Sequence, residues 1–147
     1  SWRIVLNKRP FFQKAFEKFD AKKISKFTDD DVDRLMNDKG IIRNRRKIES
    51  VINNAQKFLD TKKEFGSFDS YIWSFTDYNT MTNRFKNWDE IPSTSEESEN
   101  MSRDLKARGF TFVGPTVCYA FMQTIGMVND HVVGCFRRQE LKETGLP

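Results

Sequence analysis

The sequence predicts an all-α fold, and three observations lead there. Apolar residues recur at helical spacing in one segment after another, each segment opened or closed by a capping residue, a proline or a glycine. No stretch demands a strand. Towards the C-terminal end, two helical segments flank a glycine-bounded apolar hairpin, RGFTFVGP. At 147 residues the chain is one domain by length, with enough mass to bury a real core.

Residues 1–7 open directly on Trp2, Ile4, Val5 and Leu6, with no cap before them. This reads as the end of a helix that began upstream, although removal of an initiator methionine would give the same start. A tryptophan among such neighbours is ordinarily a core residue. Pro10 is expected to start a second helix, with Phe11, Phe12, Ala15, Phe16 and Phe19 on one side. Thr28 followed by Asp29, Asp30 and Asp31 marks the next helix start, where the dipole favours carboxylates, and Val32, Leu35 and Met36 form its buried face. The triplet could also hold a hard cation, but a solvated helix start is the plainer explanation. Gly40 closes this helix, and Asn44 caps or begins the longest one, whose stripe is Ile48, Val51, Ile52, Ala55, Phe58 and Leu59. Arg43, Arg45, Arg46 and Lys47 crowd its start, fit either for phosphates or for a solvated face.

Gly66 breaks that helix, and Phe68, Tyr71, Ile72, Trp73 and Phe75 supply a short apolar one. Residues 76–95 are expected to be irregular, and Ser93 and Thr94 stand in capping-box spacing to Glu96 and Glu97. The first hairpin helix begins there, with Met101 and Leu105 inward and Arg103, Lys106 and Arg108 placing charge beside the hairpin. Gly109 can take the left-handed conformation that ends a helix, and Gly114 removes a side chain where a partner's backbone could approach. Pro115 suits the first turn of the next helix, and Val117, Cys118, Phe121, Met122 and Ile125 are expected to pack inward. The start of that helix then points outward, offering backbone N–H groups and a positive dipole end to a phosphate.

The net charge of +4 permits a polyanionic partner, and the 14 phenylalanines must mostly be core. No run is apolar enough to span a membrane and nothing resembles a secretion signal, which gives a cytoplasmic expectation. Two cysteines require no disulfide. His131 and Cys135 are four apart, a spacing compatible with zinc, but two donors do not make a tetrahedral site; a packed histidine and a free cysteine explain the pair as well.

Beyond these readings, the run GF-x-FVG-x-T at residues 109–116, followed by VNDHVVGC at 128–135, resembles the DNA-3-methyladenine glycosylase I family. The resemblance extends through IIRNRRKI at 41–48, YIWSF at 71–75, IPSTS at 91–95 and the SW pair at 1–2, so it covers nearly the whole chain. It implies a helix-hairpin-helix DNA glycosylase-like helical domain over residues 1–147, N-terminally incomplete, with the helix-hairpin-helix at about 95–126. The implied activity is monofunctional hydrolysis of the N-glycosidic bond of N3-methyladenine in double-stranded alkylated DNA, by a monomer. Trp2 would stack on the base, and Gly109, Phe110, Val113, Gly114 and Thr116 would contact DNA. Asn129 falls where related glycosylases carry a catalytic aspartate, with Asp130 a weaker alternative carboxylate. Structural zinc would be held by His131 and Cys135 with a cysteine and a histidine lying upstream in the family, where its base-recognising glutamate also lies. The competing reading is a non-enzymatic helix-hairpin-helix DNA-binding module.

Overall fold

Helix starts and stops in this chain are written by small polar side chains and left-handed residues, and the computed structural model shows most of them in use. It describes residues 1–143, with the side chains of Trp2, Lys142 and Glu143 outside the description. The chain divides into two compact units: Ser1–Glu64 with Gly109–Phe112, and Phe65–Arg108 with the chain from Val113 onward.

In the first unit, α1 (Trp2–Ala15) continues through Pro10. The expected helix start at Pro10 is therefore corrected: a proline inside a helix removes one N–H bond without forcing a second helix. A 3-10 turn at Glu17–Phe19 follows, all three residues with positive φ. That turn breaks the helical period at Phe19, which is exposed although Phe16 is buried, and Phe11, on α1, is exposed as well. Asp20 caps α2 (Ala21–Ile24) by accepting from the N–H groups of Lys22 and Lys23. Thr28 and Asp31 form a capping box on α3 (Asp29–Asn37). Hydrogen bonds from Arg34 and from the Thr28 N–H hold the Asp31 carboxyl below its ordinary value. The acidic triplet is thus a helix start. Asn44 accepts from the Lys47 N–H at 3.1 Å at the head of α4 (Arg45–Phe65). The core of this unit gathers Phe16, Ile24, Val32, Leu35, Ile41, Ile48 and Ala55. Phe16 is its hub, with its ring 6.2 Å from that of Phe12 and 6.5 Å from that of Phe27.

In the second unit, Ser67 caps the short α5 (Phe68–Trp73). The cap of α6 (Glu96–Ala107) is Ser95, not Ser93 or Thr94, because the buried Ser98 hydroxyl accepts the Ser95 N–H at 2.8 Å and completes the box with serines alone. α7 (Pro115–Ile125) packs on α6. Its buried side is Cys118, Tyr119 and Met122, whereas Val117, Phe121 and Ile125, expected inward, are exposed. The buried stripe has turned towards Tyr119, whose hydroxyl finds an acceptor inside. The irregular region also contains a feature that no periodicity announces. β1 (Met81–Thr82) pairs in parallel with β2 (Val128–Asn129), since the backbone of Met127 and Asn129 accepts from Met81 and Asn83. The last described helix is α8 (Phe136–Glu143).

Candidate functional site

Residues Gly109–Phe112 of the loop between α6 and α7 belong to the first unit. Gly109 has φ +88, which calls for glycine, and a Cβ there would sit 3.1 Å from the flexible end of the Lys57 side chain. Asn53 donates to the Gly109 carbonyl at 2.8 Å. Asn54 donates to the Thr111 carbonyl and accepts the Thr111 N–H, each at 2.9 Å. Two side-chain amides of α4 thereby do for this loop what a neighbouring strand would do. Phe110 is buried, so it anchors the loop by its ring.

In the second unit, Gly114 is the N-cap of α7 with φ −65, and a Cβ there would meet nothing within 4 Å. Its freedom is thus space towards solvent, not a special backbone angle. The Val113 carbonyl accepts from the buried Ser102 hydroxyl at 2.6 Å and from the Cys118 thiol at 3.6 Å. Burial pushes the Cys118 thiol up, as suits a packing group. Pro115 stands at the helix start, Thr116 beside it is exposed, and no side chain caps the first turn.

Two of the basic residues offered by the sequence are already paired. Arg45 is bonded to Asp33 and lies 3.7 Å from Glu49. Arg108 donates to Asp104 at 2.7 Å and stacks its guanidinium on Phe65 and Tyr71 at 4.7 and 4.9 Å. The Tyr71 hydroxyl donates to the same Asp104 oxygen at 2.7 Å. Burial works against ionisation of Asp104, but the bonds from Tyr71 and Arg108 outweigh it and hold the carboxyl below its ordinary value. Arg108 therefore locks the end of α6 instead of standing open beside the hairpin.

The VNDHVVGC run is organised around Asp130. Its carboxylate, 8% exposed, accepts from Tyr119 at 2.7 Å and from Gln123 and Asn83 at 2.8 Å each. Burial and this bond push the Tyr119 hydroxyl up. Asn129 is buried and accepts the His131 N–H at 3.3 Å, while the buried Arg138 donates to the carbonyls of Asn83 and His131 at 2.7 Å each. His131 Nδ1 and Cys135 Sγ are brought to 3.5 Å. Two donors on one tetrahedral zinc would stand about 3.6 Å apart given ordinary Zn–N and Zn–S lengths, so this pair fits one edge of such a site. No group of three or more His, Cys, Asp or Glu side chains able to hold a metal occurs among the described residues. The Asn53–Asn54 grip, the Asp130 cage and Arg138 were not found by reading the sequence. Only the asparagine pair left a trace, as two polar residues beside the apolar stripe of α4. Trp2 begins α1, but its side chain lies outside the described residues.

The helical architecture is shared with solved DNA glycosylases. A crystal structure of 3-methyladenine DNA glycosylase I matches with a TM-score of 0.89 at 42% identity, over 92% of this chain and 75% of that one. The Staphylococcus aureus enzyme, solved to explain its recognition of 3-methyladenine, matches with a TM-score of 0.88 at 29% identity, over 92% and 72% of the two chains. In sequence the chain is 43% identical to DNA-3-methyladenine glycosylase 1 of Escherichia coli (strain K12), over 92% of this chain and 72% of that protein. It is 42% identical to the DNA-3-methyladenine glycosylase of Haemophilus influenzae, over 92% and 73%. The methyladenine glycosylase family profile matches residues 1–138. The chain belongs to the methyladenine glycosylase family.

Proposed function

We propose that the protein is a monofunctional DNA-3-methyladenine glycosylase of base excision repair. It extrudes the damaged nucleotide from double-stranded alkylated DNA, hydrolyses its N-glycosidic bond and releases 3-methyladenine. The observation that carries this reading is the family match over residues 1–138, a span that takes in both the 109–116 hairpin and the 128–135 run. No described helix is long and apolar enough to cross a membrane, and we assign the protein to the cytoplasm as a monomer.

In the reaction a water oxygen bonds to the sugar C1′ as the base departs with the electron pair of the broken bond. The water's proton passes to solvent. The departing base starts as a cation and leaves neutral, so it needs less help than an unmodified base. The residues of the 128–135 run agree with that modest demand. Asn129 carries an amide, which cannot serve as an ionised base, and its oxygen is engaged by the His131 N–H. The Asp130 carboxylate is held by three neutral donors. Rate then follows from selective binding of the cationic base and from electrostatics at the departing bond. Trp2 is the residue we assign to stacking on that base.

The 109–116 hairpin is assigned to phosphate, through backbone N–H groups at Gly109, Val113, Gly114 and Thr116, with Phe110 holding the loop in place. Contacts of that kind read no sequence and weaken steeply with salt. His131 and Cys135 are assigned two of the four positions of a structural zinc, whose role would be to fix the chain around them. Metal analysis checks this: replacing Cys135 by Ala should abolish stoichiometric zinc, and a product of the intact gene that carries no zinc overturns it.

The activity test uses the product of the gene as encoded and duplex DNA treated with a methylating agent. Chromatography should find free 3-methyladenine, and the strands should stay intact until alkali cleaves the abasic sites. Binding without base release would convict the protein as a helix-hairpin-helix DNA-binding module, and failure to bind DNA would overturn both readings.

A further inference from the structure

In the first unit, three features meet at Phe112. Its backbone has φ +57, a conformation that glycine takes freely and a residue with a Cβ takes only under constraint. The constraint is visible next door, where Asn54 holds both the N–H and the carbonyl of Thr111 and Asn53 holds the carbonyl of Gly109. The ring that this arrangement presents is 50% exposed. Phe19 is also left-handed and exposed, but its ring is stacked on Phe16, with centroids 6.3 Å apart. Phe112 instead borders a shallow recess of 280 Å³ with Arg46, Glu49, Ser50, Asn53 and Thr111. Arg46 is exposed at its rim, and the Glu49 carboxylate there lies 3.7 Å from the Arg45 guanidinium.

A sequence that spends its left-handed loop position on phenylalanine, where glycine would fold with less strain, keeps the ring for a contact outside the fold. A lone ring with a cation beside it and polar groups around it suits a nucleobase face with its phosphate, and suits poorly a broad apolar protein surface. We propose that Phe112 is a DNA-contacting residue that stacks on a base face exposed when the duplex is opened, and that Asn54 is the positioning residue that holds it there. This rests on the glycosylase reading, because extruding one nucleotide leaves neighbouring base faces unstacked. It adds an aromatic contact to a hairpin otherwise assigned to phosphate.

Glycine at position 112 separates a binding role from a folding role. Phe112→Gly removes the ring and relieves the left-handed backbone, so its melting temperature should equal or exceed that of the parent. Its affinity for a duplex carrying an abasic-site analogue, read by fluorescence anisotropy at fixed salt, should fall roughly tenfold, the scale of one lost aromatic–base stack. Phe112→Trp should restore affinity, and Asn54→Ala should lose affinity while keeping the ring. The salt dependence of Phe112→Gly should match the parent, since no phosphate contact is removed. Equal affinity of Phe112→Gly and the parent for the analogue overturns the proposal while leaving the glycosylase reading in place. A parent protein that binds no DNA overturns both.

Discussion

At the scale of single residues, what a side chain can do is decided by what already holds it. Asp104 is held by Tyr71 and Arg108, with its carboxyl below the ordinary value. A carboxyl lowered on folding contributes stability that is present above its unfolded pKa, near 3.9, and is lost as pH falls through the folded value. Asp104→Asn should therefore be less stable than the parent in urea melts at pH 7, and the gap should narrow in melts at about pH 3. A gap of the same size at both pH values would show that the charge is not what matters there. Trp2 carries a different kind of prediction. Trp2→Ala should weaken binding of free 3-methyladenine by roughly 1–3 kcal/mol, the worth of an aromatic–base stack. Unmodified adenine, against which the site selects, should bind weakly to the parent and so lose less. Titration calorimetry with both bases, beside a thermal melt, checks this; equal losses with a large fall in melting temperature would return Trp2 to the core.

At the scale of elements, the two hairpin glycines are present for different reasons and should respond differently. Gly114→Val meets open space at an ordinary backbone angle, so the fold should hold while DNA affinity falls about tenfold or more through the lost close approach. Gly109→Val forces φ +88 on a branched residue against Lys57, and should cost about 1–3 kcal/mol of stability before DNA is considered. Denaturant melts and DNA titrations of both variants separate these effects. The sequence made this element legible because Gly109, Pro115 and the apolar run between them each have a local reason to be there. It also showed the Thr28 start of α3 and the Asn44 start of α4, which rest on side chains bonding their own backbone. It misled at Pro10, whose local preference yields to a continuous helix, and on α7, where Tyr119 displaced Val117 and Ile125 from the buried side. On α7 the cause is tertiary: partners, which no local pattern lists, choose between faces of similar hydrophobicity.

At the scale of the whole molecule, helical class was legible because it sums many weak local signals, and the site was legible only in its contiguous motifs. The Asn53–Asn54 grip on the hairpin joins residues 56 and 57 apart in sequence, and the Asp130 cage draws on Asn83, 47 residues away. Such polar contacts leave no periodic trace. The parallel pair β1–β2 has the same character, being two residues long on each side. Its separation has a consequence in time. Ends so far apart along the chain meet late, since a long loop must close before any bond rewards it, whereas α6 and α7 are near neighbours and can pair early. Asp130, which ties α7 to the chain beside β1, should then be made after the folding barrier is crossed. Asp130→Asn, which turns an acceptor of three bonds into a partial donor, should cost about 1.5–3 kcal/mol at equilibrium. Nearly all of that loss should appear as faster unfolding in stopped-flow denaturant jumps, with the refolding rate almost unmoved. The strand pair would then act as a late latch that sets how long the folded molecule lasts and leaves how quickly it forms to the helices.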